Sequence, residues 1–449
     1  MQHQADFSSR IPGFYKWSQT ERAEWLKRTF GLSDDELKGL GTLDFDIKNT
    51  PQSLDEYSLS FERADKMVEN CIGVLSLPLG LGLNFTINHK DYVIPMAVEE
   101  PSVIAAVSHV ARLVRMSGGF LASSDESVMI AQVQVVGCED LERAAFKLRA
   151  QESALLELAD RIHPNLKKRG GGARGIEIRV INDPHPMLIV HFLVDCVDAM
   201  GANAVNSIAE GAAPIIEELT GGRVYLRILS NLADRRLARA SFRMPESALE
   251  LRGRDGETVM SGAEVAEGIV HAYQFADVDP YRAATHNKGI MNGIDAVMIA
   301  TGNDWRGVEA GAHAYAARNG HYRSLTRFWR DQEFLIGEIE LPMAVATIGG
   351  STQVHPTINT LRKVLRVDNA RELAQVSAAV GLAQNLGALK ALATEGIQRG
   401  HMTLHARSVA LAAGATGPEV ELISKAMIVQ GQIKHAFAEQ LLREQRGHS

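Results

Sequence analysis

Residues 176–203 read IEIRVINDPHPMLIVHFLVDCVDAMGAN, and the parsing of this stretch decides the fold. Ile176 to Ile181 begins by alternating apolar and charged side chains, the period of a strand with one buried face. Met187 to Val194 is an apolar run of strand length, and the Asn-Asp-Pro-His-Pro between the two is turn chemistry. The two strands are therefore joined directly, with no room for a crossover helix. Asp198-Ala-Met-Gly-Ala-Asn203 then leads into a helical segment, Asp198 to Leu219.

Outward from this stretch, Met129 to Val136 predicts a strand and Glu139 to Ile162 one long helix. Beyond Gly221-Gly222, Arg223 to Leu229 predicts a last strand. The order is β-α-β-β-α-β, the split arrangement of a ferredoxin-like domain with an antiparallel sheet. A doubly wound dinucleotide domain needs strict alternation of strand and helix and a G-x-G-x-x-G after its first strand, and neither is present. Gly80-x-Gly82, read as part of a turn from Pro78, is no substitute, because Phe85 follows and no helix opens there. Gly201 nevertheless has the right mechanical position for a phosphate: a strand-to-helix turn that leaves helix N-terminal N–H groups open to a pyrophosphate.

The 449 residues exceed what one hydrophobic core usually serves, so two or three domains are expected. A formal net charge of −7 argues against a nucleic-acid partner. Cys71, Cys138 and Cys196 each lie in an apolar run, which predicts buried thiols and not a disulfide framework. No apolar run has the length of a membrane span and the first residues are polar, so a cytoplasmic protein without a membrane partner is expected. Ser18 with Glu21, Ser33 with Glu36 and Ser261 with Glu264 have capping-box spacing and mark three helix starts.

Chemically capable residues concentrate in a second stretch, YRAATHNKGIMNGIDAVMIATGND at 281–304. Asn287-Lys288-Gly289 and Thr301-Gly302-Asn303-Asp304 read as two glycine turns flanking the apolar run Ile294 to Ala300. Turn-borne polar groups beside a buried element are how a rigid scaffold presents a site. The same residue types also make two plain surface turns, a helix cap at Asn303 or Asp304 and a solvated lysine. Residue type alone does not choose between these readings.

Elsewhere, Pro101 suits the first turn of a helix and places Glu100 and Ser102 at its N-terminus. The small-residue segment from Trp305 to Ala317 predicts a central helix, strands are expected near 334–348, and a helical region at 370–398 carries Gln384 and Asn385. His401 and His405 have metal-ligand spacing, but Met402 stands where H-E-x-x-H needs Glu, and no metal is expected.

Several of these segments together resemble one family. THNKGIMNGIDAV at 285–297 and GNDWRGVEAGAHAYA at 302–316 are similar to signature segments of hydroxymethylglutaryl-CoA (HMG-CoA) reductases of the soluble bacterial class II. EEPSVIAA at 99–106, DAMGANAVNS at 198–207, ILSNLADRR at 228–236 and ATEGIQRGHM at 393–402 follow in the family's order, and Glu69-Asn-Cys-Ile-Gly73 resembles a dimer-contact segment. The resemblance spans roughly residues 60 to 410.

It implies an α/β (α+β) protein in which a large, helix-rich substrate and dimerisation domain, 1–125 and 236–394, carries an inserted ferredoxin-like cofactor domain, 126–235. A mobile helical flap, 395–449, follows. The implied reaction interconverts HMG-CoA and mevalonate plus coenzyme A by two hydride transfers with NAD(P)H. By residue type and position, Glu100, Lys288, Asp304 and His401 match the family's catalytic groups, with Asp304 bonded to a buried Lys288. Ser102, Arg282, Asn292 and Asn231 match substrate contacts; Asp198, Met200, Gly201, Asn203 and Gln384 match cofactor contacts. A homodimer or an assembly of dimers, with an active site shared between two chains, is also implied. A non-catalytic acyl-CoA-binding relative and a reductase of a different acyl-CoA are the alternatives.

One position departs from the family's NADH-using pattern. His163 stands where that pattern has an Asp gripping the adenosine ribose, and Lys167-Lys168-Arg169 follows. An acid repels a 2′-phosphate and basic residues attract one, so NADPH is expected to serve at least as well as NADH.

Overall fold

The computed structural model describes residues 7–40, 58–253, 255–349, 354–394 and 396–447. In chain order these form α1 (Gln19–Phe30), α2 (Asp34–Gly39), α3 (Phe61–Met67), β1 (Leu79–Ile87), β2 (Lys90–Ala97), α4 (Pro101–Arg115) and β3 (Leu121–Ser124). Next come β4 (Val128–Val136), α5 (Leu141–Ala150), α6 (Glu152–Ile162), α7 (Pro164–Lys168), β5 (Gly172–Ile181), β6 (Met187–Asp195), α8 (Ala202–Thr220) and β7 (Arg223–Ser230). The chain continues with β8 (Leu237–Pro245), β9 (Leu251–Arg252), β10 (Thr258–Met260), α9 (Gly262–Val278), α10 (Pro280–Ala300), α11 (Trp305–Ala316), β11 (Thr326–Asp331) and β12 (Phe334–Pro342). It closes with α12 (Pro356–Leu365), α13 (Ala370–Ala393), α14 (Ile397–Ala412), α15 (Pro418–Val429) and α16 (His435–Gln445).

The split unit forms as its strand order requires. Its sheet runs β5-β6-β4-β7, every neighbouring pair antiparallel. Met129, Val133, Phe192 and Val194 point from the strands into a core with Leu148 of α5, Leu155 of α6 and Val205, Ile208 and Ile216 of α8. The expected single helix from Glu139 to Ile162 is instead two helices, because Gln151 leaves helical geometry. Glu152, opening the second, accepts a hydrogen bond from the Ile176 N–H of β5. The second helix of the unit starts at Ala202 and not at Asp198: Gly201 takes φ 100°, which ends the strand-side turn and caps α8.

Described residues on both sides of the split unit build a second core, and α1 and α2 add a smaller cluster around Trp25, Leu26, Phe30 and Leu37 against Leu83, Val93 and Val364. A sheet in the order β11-β12-β8-β3 and the β1-β2 hairpin pack with α4, α9, α10 and α13. The central helices are α10 and α13, not the small-residue helix α11 as expected. Gly381 of α13 lets Ile290 and Ile294 of α10 come so close that a Cβ there would lie 2.8 Å from Ile294. α13 is long and apolar enough to cross a membrane, yet 67% of its most apolar window is buried within the protein.

α10 corrects the reading of 281–304. Asn287-Lys288-Gly289 is not a turn; the helix runs unbroken from Pro280 to Ala300. Asp279 caps it through the Arg282 N–H, Pro280 opens it, and His286, Ile290, Ile294 and Val297 recur at helical spacing on its buried side. Its two interior glycines, Gly289 and Gly293, cost about 1 kcal/mol each of helix propensity, less than that buried face contributes. Asn287 turns its side chain to another segment, donating to the Arg323 carbonyl and accepting from the Leu325 N–H.

Other boundaries shift for similar reasons. Gly80 and Gly82 lie inside β1, where Gly80 makes room for Ile104 of α4. The strand expected near 334–348 ends at Pro342, and α14 begins at Ile397, upstream of His401. Of the cysteines only Cys196 is buried; Cys71 and Cys138 are half-buried. All three capping boxes form. α14, α15 and α16 share a small core of their own, around Ala410, Ile423, Met427 and Leu442.

Candidate active site

A cavity of about 650 Å³ lies where the split unit meets the larger core. From the split unit it is lined by His163, Asn165, Leu166 and Arg169, and by the turn and first residues of α8, 199–204. From the other side come 302–306, the turn and first residues of α11, with Ala346, Ile348 and Gly349. Met200, Gly201 and Asn203 therefore share one cavity with Asp304. The start of the 19-residue α8 faces it, and Gly201 provides no side chain to cap the helix N–H groups. That arrangement suits a dinucleotide pyrophosphate, since the helix dipole and open N–H groups both favour an anion. Gly201 also has no space for a Cβ, which would fall 2.2 Å from Cys196 Sγ.

The turn before Gly201 is fastened to the larger core. The Asp198 carbonyl accepts from the Thr347 N–H at 3.0 Å, and Asp198 Oδ1 accepts from the Ala370 N–H at the start of α13, also at 3.0 Å. Asp198 thus anchors the turn and does not line the cavity. Arg236, 4% exposed, donates to the carbonyls of Ala199 (3.2 Å), Met200 (3.3 Å) and Val345 (2.5 Å). Burial pushes its pKa down to about 10, so it remains a cation at neutral pH. Asn303 holds the next segment, its Oδ1 accepting from the Ala346 N–H at 2.7 Å and its Nδ2 donating to the Ala346 carbonyl at 3.2 Å. From sequence Asn303 is a candidate helix cap, a part that Asp304 plays instead, and Arg236 is marked only as the last residue of the family-like segment at 228–236.

Asp304 caps α11, accepting from the Gly307 N–H at 3.2 Å, and Arg306 Nε lies 4.0 Å from its carboxylate. It does not bond Lys288, which is exposed on α10 and makes no hydrogen bond or ion pair among the described residues. The expected burial of Lys288 and its bond to Asp304 are thus not features of the single chain. Lys288 and Asn292, four residues apart, share one helix face. Arg282, half-buried, has a pKa lowered by burial and no carboxylate partner among the described residues. Of the two cations on this helix, the half-buried Arg282 is the one better placed to gain from an anionic partner, since an exposed ammonium such as Lys288 is already well hydrated.

Glu100 precedes Pro101 at the start of α4, and its Oε1 accepts from Ser102 Oγ at 3.1 Å. It emerges from the end of β2, the strand that packs along α10. Asn231 follows β7, with its side chain near Asp304 beneath α11. Gln384 is not brought to the cavity: it is 6% exposed in α13, packed against Gly293 of α10, with a buried Oε1 lacking a partner. His401 lies on α14, but its side chain is outside the described residues. Among the described residues no group of three His, Cys, Asp or Glu is arranged to hold a metal ion.

A family model for hydroxymethylglutaryl-coenzyme A reductase matches residues 33–406. The chain belongs to this family. It is 50% identical over 441 residues to a 3-hydroxy-3-methylglutaryl-coenzyme A reductase of Archaeoglobus fulgidus, covering 98% of this chain and 95% of that one. A probable reductase of Borreliella burgdorferi is 36% identical over 343 residues, 76% and 77% of the two chains. The fold is similar to that of a Streptococcus pneumoniae reductase, with TM-score 0.78 and 41% identity over 96% of this chain and 99% of the other. It is similar also to the class II enzyme of that organism bound to NADPH in open conformations, at TM-score 0.78 and 42% identity over 85% and 99%.

Proposed function

We propose that the chain interconverts HMG-CoA and mevalonate plus coenzyme A through two successive reductions with NAD(P)H. The observation that carries this reading is the common cavity of the α8 turn and Asp304: a dinucleotide on the first would meet substrate beside the second. The relatives' names and the NADPH-bound structure support the same chemistry.

When bound, the nicotinamide supplies the hydride. Reduction of a thioester puts negative charge on the carbonyl oxygen. A Lys288 ammonium positioned there would stabilise it by roughly 3–4 kcal/mol, the contribution of a single oxyanion donor. Asp304 would orient Lys288 once substrate and a second chain enclose the site, and would couple its proton to that of Glu100. Glu100 would protonate the aldehyde oxygen in the second reduction, with Ser102 steadying its carboxyl. His401, carried on the C-terminal helices, would protonate the departing CoA thiolate. Arg282 would pair with the free carboxylate of the substrate, with Asn292 and Asn231 as further contacts.

The same reading assigns NADPH as a good cofactor. Among the basic triplet, Lys167 is bonded to Asp160, while Arg169 lines the cavity with His163 and Asn165. A homodimer or assembly of dimers is supported by the extended segment after α3, where Ile72 is 99% and Leu75 91% exposed. Apolar side chains so displayed mark an interaction surface.

The test is absorbance of reduced nicotinamide at about 340 nm with HMG-CoA and each cofactor, alongside sedimentation. Thioester-dependent oxidation of NADPH by a dimer or larger species is expected. Binding of HMG-CoA without turnover would identify a non-catalytic relative, and turnover by a stable monomer would remove the shared site.

A further inference from the structure

We infer that Arg236 is a positioning residue for the dinucleotide: by gripping three backbone carbonyls it aims the N–H groups of the α8 turn and sets them in register with the Asp304 loop. This rests on the cavity being the nicotinamide site.

The argument begins with the peptide plane. In a trans peptide the C=O of one residue and the N–H of the next point in opposite directions across a rigid plane. Arg236 Nη1 donates to the carbonyls of both Ala199 and Met200. The N–H groups of Met200 and Gly201 are thereby directed away from the guanidinium, and both residues line the cavity. Nη1 holds the two successive carbonyls of the turn while Nη2 reaches Val345, so the planar fork of the guanidinium spans the turn and the facing segment at once, which a single-point ammonium does less well.

The third carbonyl extends the effect. Val345 precedes Ala346, which Asn303 holds through both its N–H and its carbonyl. Asn303 is the neighbour of Asp304. A continuous path therefore runs from the α8 turn through Arg236, Val345 and Ala346 to Asn303 and the loop carrying Asp304. The parallel bridge between Ala199 and Ile348 lies alongside it. Bonds from Thr347 and Ala370 to Asp198 also tie the split unit to the larger core, so the path is not the sole attachment between them. What the path adds is the spacing between the groups that hold a pyrophosphate and the carboxylate beside the reacting carbon. Hydride transfer is sensitive to such spacing, since misplacement by an ångström can cost about a hundredfold in rate.

The experiment compares wild type, Arg236→Met, which keeps the side-chain length without donors, and Arg236→Lys, which keeps a charge and part of the bonding. NADPH dissociation constants are read by nicotinamide fluorescence, with KM for NADPH and HMG-CoA, kcat, and the primary isotope effect with cofactor deuterated at the transferred position. Arg236→Met should weaken NADPH by about tenfold or more, while KM for HMG-CoA changes less than about twofold. Its isotope effect should exceed that of wild type, and Arg236→Lys should fall between the two. Unchanged NADPH affinity and isotope effect, with only a lowered melting temperature, would make Arg236 structural and overturn the inference. Arg236→Lys carries the test by itself if Arg236→Met does not fold: wild-type values in it likewise overturn the proposal. A wild-type protein that binds neither cofactor would overturn the reading of the cavity itself.

Discussion

Asp304 and Asn231 meet over Gly307. A Cβ at Gly307 would stand 2.9 Å from Asp304 Oδ2 and 3.2 Å from Asn231 Oδ1, so the absence of a side chain there lets both polar groups approach the same point of α11. Gly307→Ala should therefore displace the Asp304 carboxylate. Ala is a better helix former than Gly, so propensity works in favour of the variant's fold. A kcat lowered by about tenfold or more, with cofactor KM near wild type, is expected. Wild-type kcat would show that Asp304 tolerates the crowding.

Lys288→Ala should lower kcat by about two orders of magnitude or more with the melting temperature unchanged, because the side chain is exposed and makes no bond among the described residues. Asp304→Asn should lose comparable activity while still capping α11, since Asn is as good an N-cap as Asp. Near-normal turnover in Lys288→Ala would remove the proposed oxyanion donor.

His401 and Glu100 separate by substrate. If His401 serves only the departing thiolate, His401→Gln should impair HMG-CoA reduction much more than reduction of free mevaldehyde. Glu100→Gln should impair both. Equal losses on the two substrates for His401→Gln would assign it different work.

Cofactor choice divides the basic triplet. Arg169→Ala should weaken NADPH by about tenfold and leave NADH nearly unchanged, the scale of one charge-assisted contact. Lys167→Ala should not discriminate, because Asp160 already holds that ammonium. His163→Asp should favour NADH. These are read as kcat/KM for both cofactors; a wild-type preference for NADH that none of the three moves would place discrimination elsewhere.

A buried histidine and a half-buried carboxyl give stability opposite dependences on pH. Burial holds His286 near pKa 3, and its Nε2 shares bonds of 2.8 Å with Ser324 and Thr326. Between about pH 6.5 and 3 the unfolded chain binds a proton that the folded chain refuses. Stability then falls on acidification by up to about 1.4 kcal/mol per pH unit. Asp295 is raised by burial and by Glu309, so above the ordinary carboxylate range the fold retains a proton that the unfolded chain releases. Its contribution is lost as pH rises. Asp295→Asn should gain stability relative to wild type at about pH 8 compared with about pH 5, measured as urea midpoints. A constant difference between variant and wild type across that range would contradict the assignment.

The sequence by itself determined the elements whose signals are local. The strand order around 176–203, the three capping boxes and the glycine turn before α8 all follow from periodicity and cap chemistry within a few residues. The segments of 285–297 and 302–316 likewise sufficed to point to the family. Tertiary structure alone decided that Lys288 rides on an unbroken helix. The side chain of Asn287, a turn former by local preference, finds its partners at Arg323 and Leu325, some 36 to 38 residues away. It alone brought the α8 turn to Asp304, and made Arg236 and Asn303 the links between them. Those links are bonds to backbone atoms, which every residue possesses. No side-chain pattern in the sequence can mark which carbonyl a buried guanidinium will reach; only the packing of two hydrophobic cores against each other brings them within hydrogen-bonding distance.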